Sequence, residues 1–427
     1  MDYSPPFIQS IQIHKVRHLH DMFIPLDESR PRHLILTGPN GSGKTSVLWF
    51  IKDYLEGIHS KELFQTQNWK INIDNLENQQ RQLESSLAGA LSEEERTGLQ
   101  NKLVNTSSSI QHFKNMLARF DPLTLKISGM ATLADSHAKG EYLLGYFEAR
   151  RTAQIQPVTG AQKLDLPKNN PIETSQNAIG SRFLQFLVNQ ENRAALLLRK
   201  GDMEGVKAIQ NWMDQITTKF RDIFQDEQLK LEYDIDNFDF LVSIPGREPF
   251  RLINNQLSDG FSSIIQIVAE LLLRMEAVTP GRYEVPGIVL IDEIETHLHI
   301  RLQKIILPFL VTFFPHIQFI VTTHSPFILT SLNDAIVFDL ESLDRRENMA
   351  PMAVSTVIED YFDLDQYSDE IKNVISRYKI LSEKTELSLQ ESEEIEALRK
   401  KLDPMDNDTA PELASYYRHL RARETMR

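Results

Sequence analysis

The chain has 427 residues, 41% of them hydrophobic and 25% charged, the balance of a soluble globular protein long enough for one to three domains. It has no cysteine, which excludes disulfides, thiolate zinc sites and thiol nucleophiles. A formal charge of −14 argues against a broadly basic DNA-coating surface, and no apolar run is long enough to span a bilayer. The N-terminal MDYSPPFIQS lacks a basic stretch followed by an apolar one, so a cytoplasmic location with no membrane partner is expected.

In chain order, residues 7–58 read as strand, strand, phosphate loop, helix. Phe7–Ile13 is broadly apolar and Met22–Leu26 is its expected partner. The apolar strand His33–Thr37 then runs into GPNGSGKTS at 38–46, followed by a helical run, Ser46–Leu55. Residues 66–120 change character, with apolar positions at Ile73, Leu76, Leu83, Leu87 and Leu91, then at Leu99, Leu103, Ile110, Phe113, Leu117 and Phe120. These spacings of three, four and seven form a helical seam. Ser92 with Glu95 has the form of a capping box opening a second helix. The segment reads either as a coiled-coil hairpin roughly 35–40 Å long or as a plain helical pair packed on the body.

Beyond it, Leu123–Ser128 and Tyr142–Phe147 read as strands and 152–178 as a polar loop. Helices are expected at about 179–200 and 203–224, and strands at 229–234 and 239–244. A turn at LSDG, 257–260, leads into the apolar helix Phe261–Arg274. The stretch 288–340 alternates strand, helix, strand, helix, strand, with the continuous apolar runs of a buried parallel sheet. Residues 366–427 read as a charged helical tail. The division expected is 1–60, 61–121 for the insertion, 122–345, and 346–427 for the C-terminal helical region.

Gly38, Gly43, Lys44 and Thr45 fit the phosphate-loop pattern, and the preceding strand and following helix are the context it needs. Backbone N–H groups of Gly38, Pro39 to Ser46 (Asn40, Gly41, Ser42, Gly43, Lys44, Thr45 between; Pro39 supplies geometry without a donor) can turn toward phosphates at a helix N-terminus. The motif implies a nucleoside triphosphate site. Ile288–Ile291 ends in Asp292-Glu293, which suits Asp292 to a magnesium shell with the Thr45 hydroxyl and Glu293 to accepting a proton from water. Phe319–Thr323 delivers His324 to the same edge, where a neutral imidazole can meet a γ-phosphate. LSDG taken alone is a helix cap. His297 and His299 form an H-x-H that could enter a zinc site but lacks two further ligands. Arg150, Arg151, Lys163, Lys168 and Arg182 could line a local basic groove, although ordinary surface charge is the preferred reading.

The four segments GPNGSGKTS, LSDG, IVLIDE and TTHSP, in this order, resemble the ABC-type ATPase heads of the SMC, RecF and OLD-like group. Ile291–His299 and Phe314–Phe327 look especially like the bacterial AAA-domain ATPases of phage-defence systems, Septu-like and retron-linked among them. The resemblance covers roughly residues 7–58 and 120–340. It implies an α/β P-loop NTPase of the ABC-ATPase head type, carrying the helical insertion and tail, that hydrolyses ATP slowly with magnesium. It implies head-to-head dimers, or higher assemblies of dimers, in which Ser258, Asp259 and Gly260 meet the γ-phosphate held by the other copy. It also sets His297 and His299 in the dimer-interface loop and makes Gln154 or Gln156 the Q-loop residue. OLD nucleases add a TOPRIM domain, and residues 341–427 are too few and too helical to hold one. With no nuclease centre visible, a separate effector such as a nuclease or toxin is the expected partner. Alternatives are an ATP-stabilised scaffold holding such an effector inactive, or a RecF-like repair ATPase that binds nucleic acid.

Overall fold

The computed structural model describes residues 5–89, 92–151, 155–166, 172, 179–252, 259–278, 284–354, 356–357, 369–382, 384, 388–403, 417 and 421. Alternating apolar residues make Ile8–Val16 (β1) a strand, which pairs antiparallel with Leu19–Pro25 (β2) across a turn where Arg17 takes a left-handed φ of 55°. A register shift between Ile8 and Ser10 resets the alternation, so Ile8, Ile11 and Ile13 are all buried. His33–Thr37 (β3) is buried along nearly its whole length and leads through the glycine loop into Lys44–His59 (α1).

The insertion is two long helices, Thr66–Ala88 (α2) and Glu93–Ala118 (α3), packed on each other. Ser92 accepts from the Glu95 N–H while the Glu95 carboxylate accepts from the Ser92 N–H, so the capping box forms as the sequence predicts. The seam holds too: Ile73 and Ile110 are buried and Leu76, Leu83, Leu87, Leu99 and Leu103 half-buried, while Leu91 lies outside the described residues. No residue of 74–88 or 93–105 is fully buried, which favours a hairpin over a pair flattened on the body. Its root is bolted down. Trp69 and Phe120 join the main core, and the Arg119 guanidinium forks onto the Asp53 carboxylate of α1 at 2.8–3.0 Å. Gly57 of α1 is the residue that admits Phe120, since a Cβ there would lie 2.2 Å from its ring.

Leu123–Ile127 (β4) returns from the hairpin to pair antiparallel with β1, giving a small sheet of order β2-β1-β4. Met130–Ala138 (α4) and Leu143–Phe147 (β5) follow, then Phe183–Arg199 (α5) and Met203–Phe224 (α6). Lys230–Asp234 (β6), Asp239–Ser243 (β7) and Phe250–Arg251 (β8) form a three-stranded antiparallel sheet. Next come Asp259–Val278 (α7), Gly287–Ile291 (β9), Ile300–Phe313 (α8), Ile317–Thr322 (β10), Pro326–Leu329 (α9), Ala335–Asp339 (β11) and Arg345–Glu347 (β12).

The central sheet has order β12-β11-β3-β10-β9-β5, and all its pairings are parallel except that of the edge strand β12. Parallel strands end at the same edge, so β3, β9 and β10 deliver their last residues side by side, with β10 between the other two. The buried Gln318 ties this sheet to the small one. Its amide accepts from Ile8 N and donates to the Ile8 and Arg32 carbonyls, at 2.8–3.0 Å. The architecture is a mixed α/β fold with the glycine loop at the end of a central strand.

Residues 353–427 form a second unit. Within it Asp369–Ser382 (α10) and Leu389–Leu402 (α11) pack around Val374, Ile375, Tyr378, Leu381, Ile395, Leu402 and Tyr417. Ser388 and Glu391 make a second capping box, on α11. Among the described residues no helix is long and apolar enough to cross a membrane.

Candidate functional site

Gly38, Gly41 and Gly43 all take positive φ, 134°, 89° and 97°, conformations that only glycine adopts freely. At Gly38 a Cβ would also strike the Ser42 hydroxyl at 2.8 Å. The loop thereby turns its backbone around the start of α1, while Pro39, Asn40 and Gly41 stay exposed and Thr45 and Ser46 open the helix. Lys44 is buried, and its amine donates to the Gly38 and Pro39 carbonyls at 2.9 and 3.0 Å. Burial lowers its pKa, against the opposing pull of Glu293, Glu295, Asp292 and Asp339. One cation thus faces several carboxylates at the loop.

A hydrogen-bonded chain joins three strand ends at this point. Asp292 Oδ1 accepts from the Thr45 hydroxyl of α1 at 3.1 Å and from the Thr322 hydroxyl of β10 at 2.6 Å. Thr322 Oγ1 in turn accepts from Glu293 N at 2.7 Å. Glu293 has φ of 41°, unusual for a residue with a side chain, and its Oε2 accepts from the Thr296 hydroxyl at 3.1 Å. Thr45 Oγ1 and Asp292 Oδ1 are hard oxygen donors in contact with each other, the donor chemistry magnesium takes alongside phosphate and water oxygens. Among the described residues no cluster of three or more His, Cys, Asp or Glu could hold a metal by itself, so protein ligands here would number few and the phosphates would complete the shell.

His324 follows β10, and its N–H donates to the carboxylate of Glu295, which the sequence reading did not single out although it is the third acidic residue of the IDEIE run. Burial first, and then Lys44, lower the His324 pKa, with Glu293 and Asp292 opposing. These causes favour the neutral imidazole. Burial raises the Glu295 pKa.

The remaining predicted residues fall out as follows. Asp259 starts α7 and Gly260 is buried one residue later, where a Cβ would meet the His297 carbonyl at 2.9 Å. Ser258 and Gln154 lie outside the described residues, as does Lys168 of the suggested basic groove. Gln156 is exposed and its N–H donates to the Ser181 carbonyl; no hydrogen bond among the described residues joins it to the loop. His299 caps α8, accepting from Arg301 N.

Arg151 overturns its expected place. It lines no surface groove: it is 2% exposed and its guanidinium runs beneath the Asp-Glu turn, donating to the Asp292 and Glu293 carbonyls at 2.6 and 2.9 Å. Its sequence context, EARRTAQ, reads as surface, because the carbonyls it serves belong to a segment about 140 residues away. Of the other groove candidates, Arg150 is exposed and Arg182 donates to the Asp165 carbonyl.

Residues 119–330 match the protein family described as "AAA domain, putative AbiEii toxin, Type IV TA system". The chain is similar to "Retron Vc95 probable ATPase" from Vibrio cholerae serotype O1 biovar El Tor, 34% identical over 153 residues, which is 35% of this chain and 27% of that protein. It is similar also to "Septu protein PtuA" from Bacillus mycoides (strain KBAB4), 32% identical over 155 residues, 34% of this chain and 22% of that one. The matched part is thus about a quarter of each relative's length. Among solved structures, the SmcHead bound to the C-winged helix domain of ScpA aligns over 81% of this chain and 100% of that chain, at 13% identity and a TM-score of 0.36. The matched span is similar to an AAA-type ATPase domain. The matched span holds Asp292, Glu293 and His324 but begins beyond the phosphate loop, which the β3–β10 pairing brings alongside.

Proposed function

We propose that this chain binds and hydrolyses ATP with magnesium, and that nucleotide-driven pairing of two copies controls a separate effector in bacterial anti-phage defence. The observation that carries the hydrolytic reading is the chain of hydrogen bonds Thr45–Asp292–Thr322–Glu293. It ties the phosphate loop to the backbone of Glu293, whose carboxylate has one oxygen held by Thr296 and the other left to take a proton. The loop N–H groups and Lys44 bind the triphosphate. Glu293 orients and deprotonates the attacking water, and neutral His324 contacts the γ-phosphate through one ring nitrogen. Magnesium on Thr45 and Asp292 would neutralise charge on the β- and γ-phosphates.

The paired-head arrangement is supported by the order of the motifs and by the glycine at the α7 N-terminus, an anion-binding end of a long helix. The defence role rests on the similarity to the retron and Septu proteins. A nuclease or toxin partner fits a chain in which no second catalytic centre is evident among the described residues. The α2–α3 hairpin, rooted on α1 through Arg119 and Phe120, is suited to carry the state of the phosphate loop outward.

The test measures ATP turnover, light scattering and biological output for Lys44→Ala and Glu293→Gln. Loss of turnover in both, with an ATP-dependent dimer in Glu293→Gln, supports the reading. Retained output in Glu293→Gln would make ATP-bound assembly the active state, as in a scaffold. Undiminished turnover in Glu293→Gln would sink the assignment of the base.

A further inference from the structure

Arg151 uses all five of its guanidinium N–H donors. Nε donates to Ser263 Oγ at 3.1 Å, Nη1 to the Glu148 and Asp292 carbonyls at 2.7 and 2.6 Å, and Nη2 to the Glu293 and Ile294 carbonyls at 2.9 and 3.3 Å. None of these acceptors is a carboxylate, so beyond its attraction to the nearby Asp292, Glu295 and Glu293 carboxylates the planar fork supplies geometry. Three of them are consecutive carbonyls around Glu293, whose φ of 41° needs its surroundings to hold it. The one side-chain anchor, Ser263, is a buried residue in the first turns of α7.

Ser263 and Gly260 are three residues apart and so share a face of that helix. Gly260 sits against the His297 carbonyl, with no room for a Cβ, and His297 has a left-handed φ of 67°. The start of α7 therefore touches the segment 292–298 twice, directly at Gly260 and through Arg151 at Ser263. A rigid shift of α7 has to move the turn that carries Glu293.

We infer that Arg151 is a positioning residue that couples helix α7 to Glu293, so that each copy's water-activating carboxylate answers to the triphosphate engaged at its α7 N-terminus. This rests on the paired-head reading, in which that triphosphate belongs to the other copy. The consequence is a two-site enzyme whose hydrolysis is cooperative in ATP, with one buried arginine carrying the coupling beside the direct Gly260 contact.

Ser263→Ala tests it cleanly. It cuts the arginine's link to α7, leaves Arg151 its four carbonyls and α7 its Gly260 contact, and introduces the residue best suited to a helix. The parent should show a cooperative dependence of turnover on ATP. Ser263→Ala should bind a fluorescent ATP analogue within about twofold of the parent, lose cooperativity, and turn over about tenfold more slowly, the loss expected for one hydrogen bond to a charged group. Arg151→Lys keeps the charge but gathers its donors on one nitrogen, and should lose cooperativity with a larger fall in kcat. A role confined to folding would lower the melting temperature and leave the shape of the ATP dependence alone. Parental cooperativity in Ser263→Ala, or a parent without cooperativity, overturns the coupling. If light scattering finds no ATP-dependent dimer of Glu293→Gln, the paired-head reading fails first, and the coupling between copies falls with it.

Discussion

The edge of the parallel sheet and the helical hairpin are built on opposite principles. At the edge, Asp292, Thr322 and Arg151 are all buried and joined by hydrogen bonds of 2.6 to 3.3 Å that cross from one element to another. Along α2 and α3 the seam leucines are half-buried, and full burial is confined to the root. A dense polar network in a low-dielectric setting fixes atoms to fractions of an ångström, and losing one member strands the rest. A seam of leucines tolerates loss because each contact is small and replaceable. Precision at one end and reach at the other is the division of labour a nucleotide switch needs.

The sharpest way to break that contrast is at Glu293. Glu293→Gln should lower ATP turnover by about 10²–10⁴-fold while a melting curve barely moves, since the amide can still accept from Thr296. A fall in melting temperature matching the loss of turnover would mean the edge is structural first.

Next in size is acid stability. His33, at the start of β3, is half-buried and accepts from Phe319 N at 3.1 Å, and removal from water pushes its pKa down to about 4. The unfolded chain then binds more protons between pH 6.5 and 4, so the folded state is favoured above that window and loses up to about 3 kcal/mol as pH falls through it. Urea titrations of His33→Gln at pH 7 and pH 4.5 should differ by roughly 2–3 kcal/mol less than those of the parent. An unchanged difference assigns the acid sensitivity elsewhere.

At the hairpin root, Gly57→Ala should destabilise by about 1–2 kcal/mol, overpacking against Phe120 outweighing the gain in helix propensity. A stabilised variant would mean that the hairpin shifts freely on α1. Smallest of all, Leu83→Ala or Leu99→Ala in the outer seam should cost about 0.5–1 kcal/mol and leave ATP turnover unchanged. An effect on turnover from either would show that the outer hairpin reports back to the sheet edge.

Most of the edge was legible in advance because its parts are local. A strand, a glycine loop and a helix start are one continuous stretch, and the Asp-Glu and His segments each follow a buried strand. Thr322 and Thr323 stood in the quoted TTHSP without a role, since a threonine hydroxyl is ambiguous until its partner is known. The misreading of Arg151 has the same origin: beside Arg150 in a polar stretch it resembles any surface cation. Glu295 went unnoticed because its partner, the His324 N–H, is 29 residues further along the chain.

By itself the sequence determined most of the elements, the parallel character of the central sheet, the two insertion helices with their capping box, and a glycine loop of the phosphate-binding pattern. These follow from periodicity, from glycine's access to positive φ, and from turn chemistry, all properties of short stretches. Only the tertiary structure decided that β10 lies between β3 and β9, that Thr322 bridges Asp292 to the Glu293 backbone, and that Arg151 gathers four carbonyls and a helix. Those depend on which distant groups share a buried space, where every donor has to find an acceptor and no local pattern says which one.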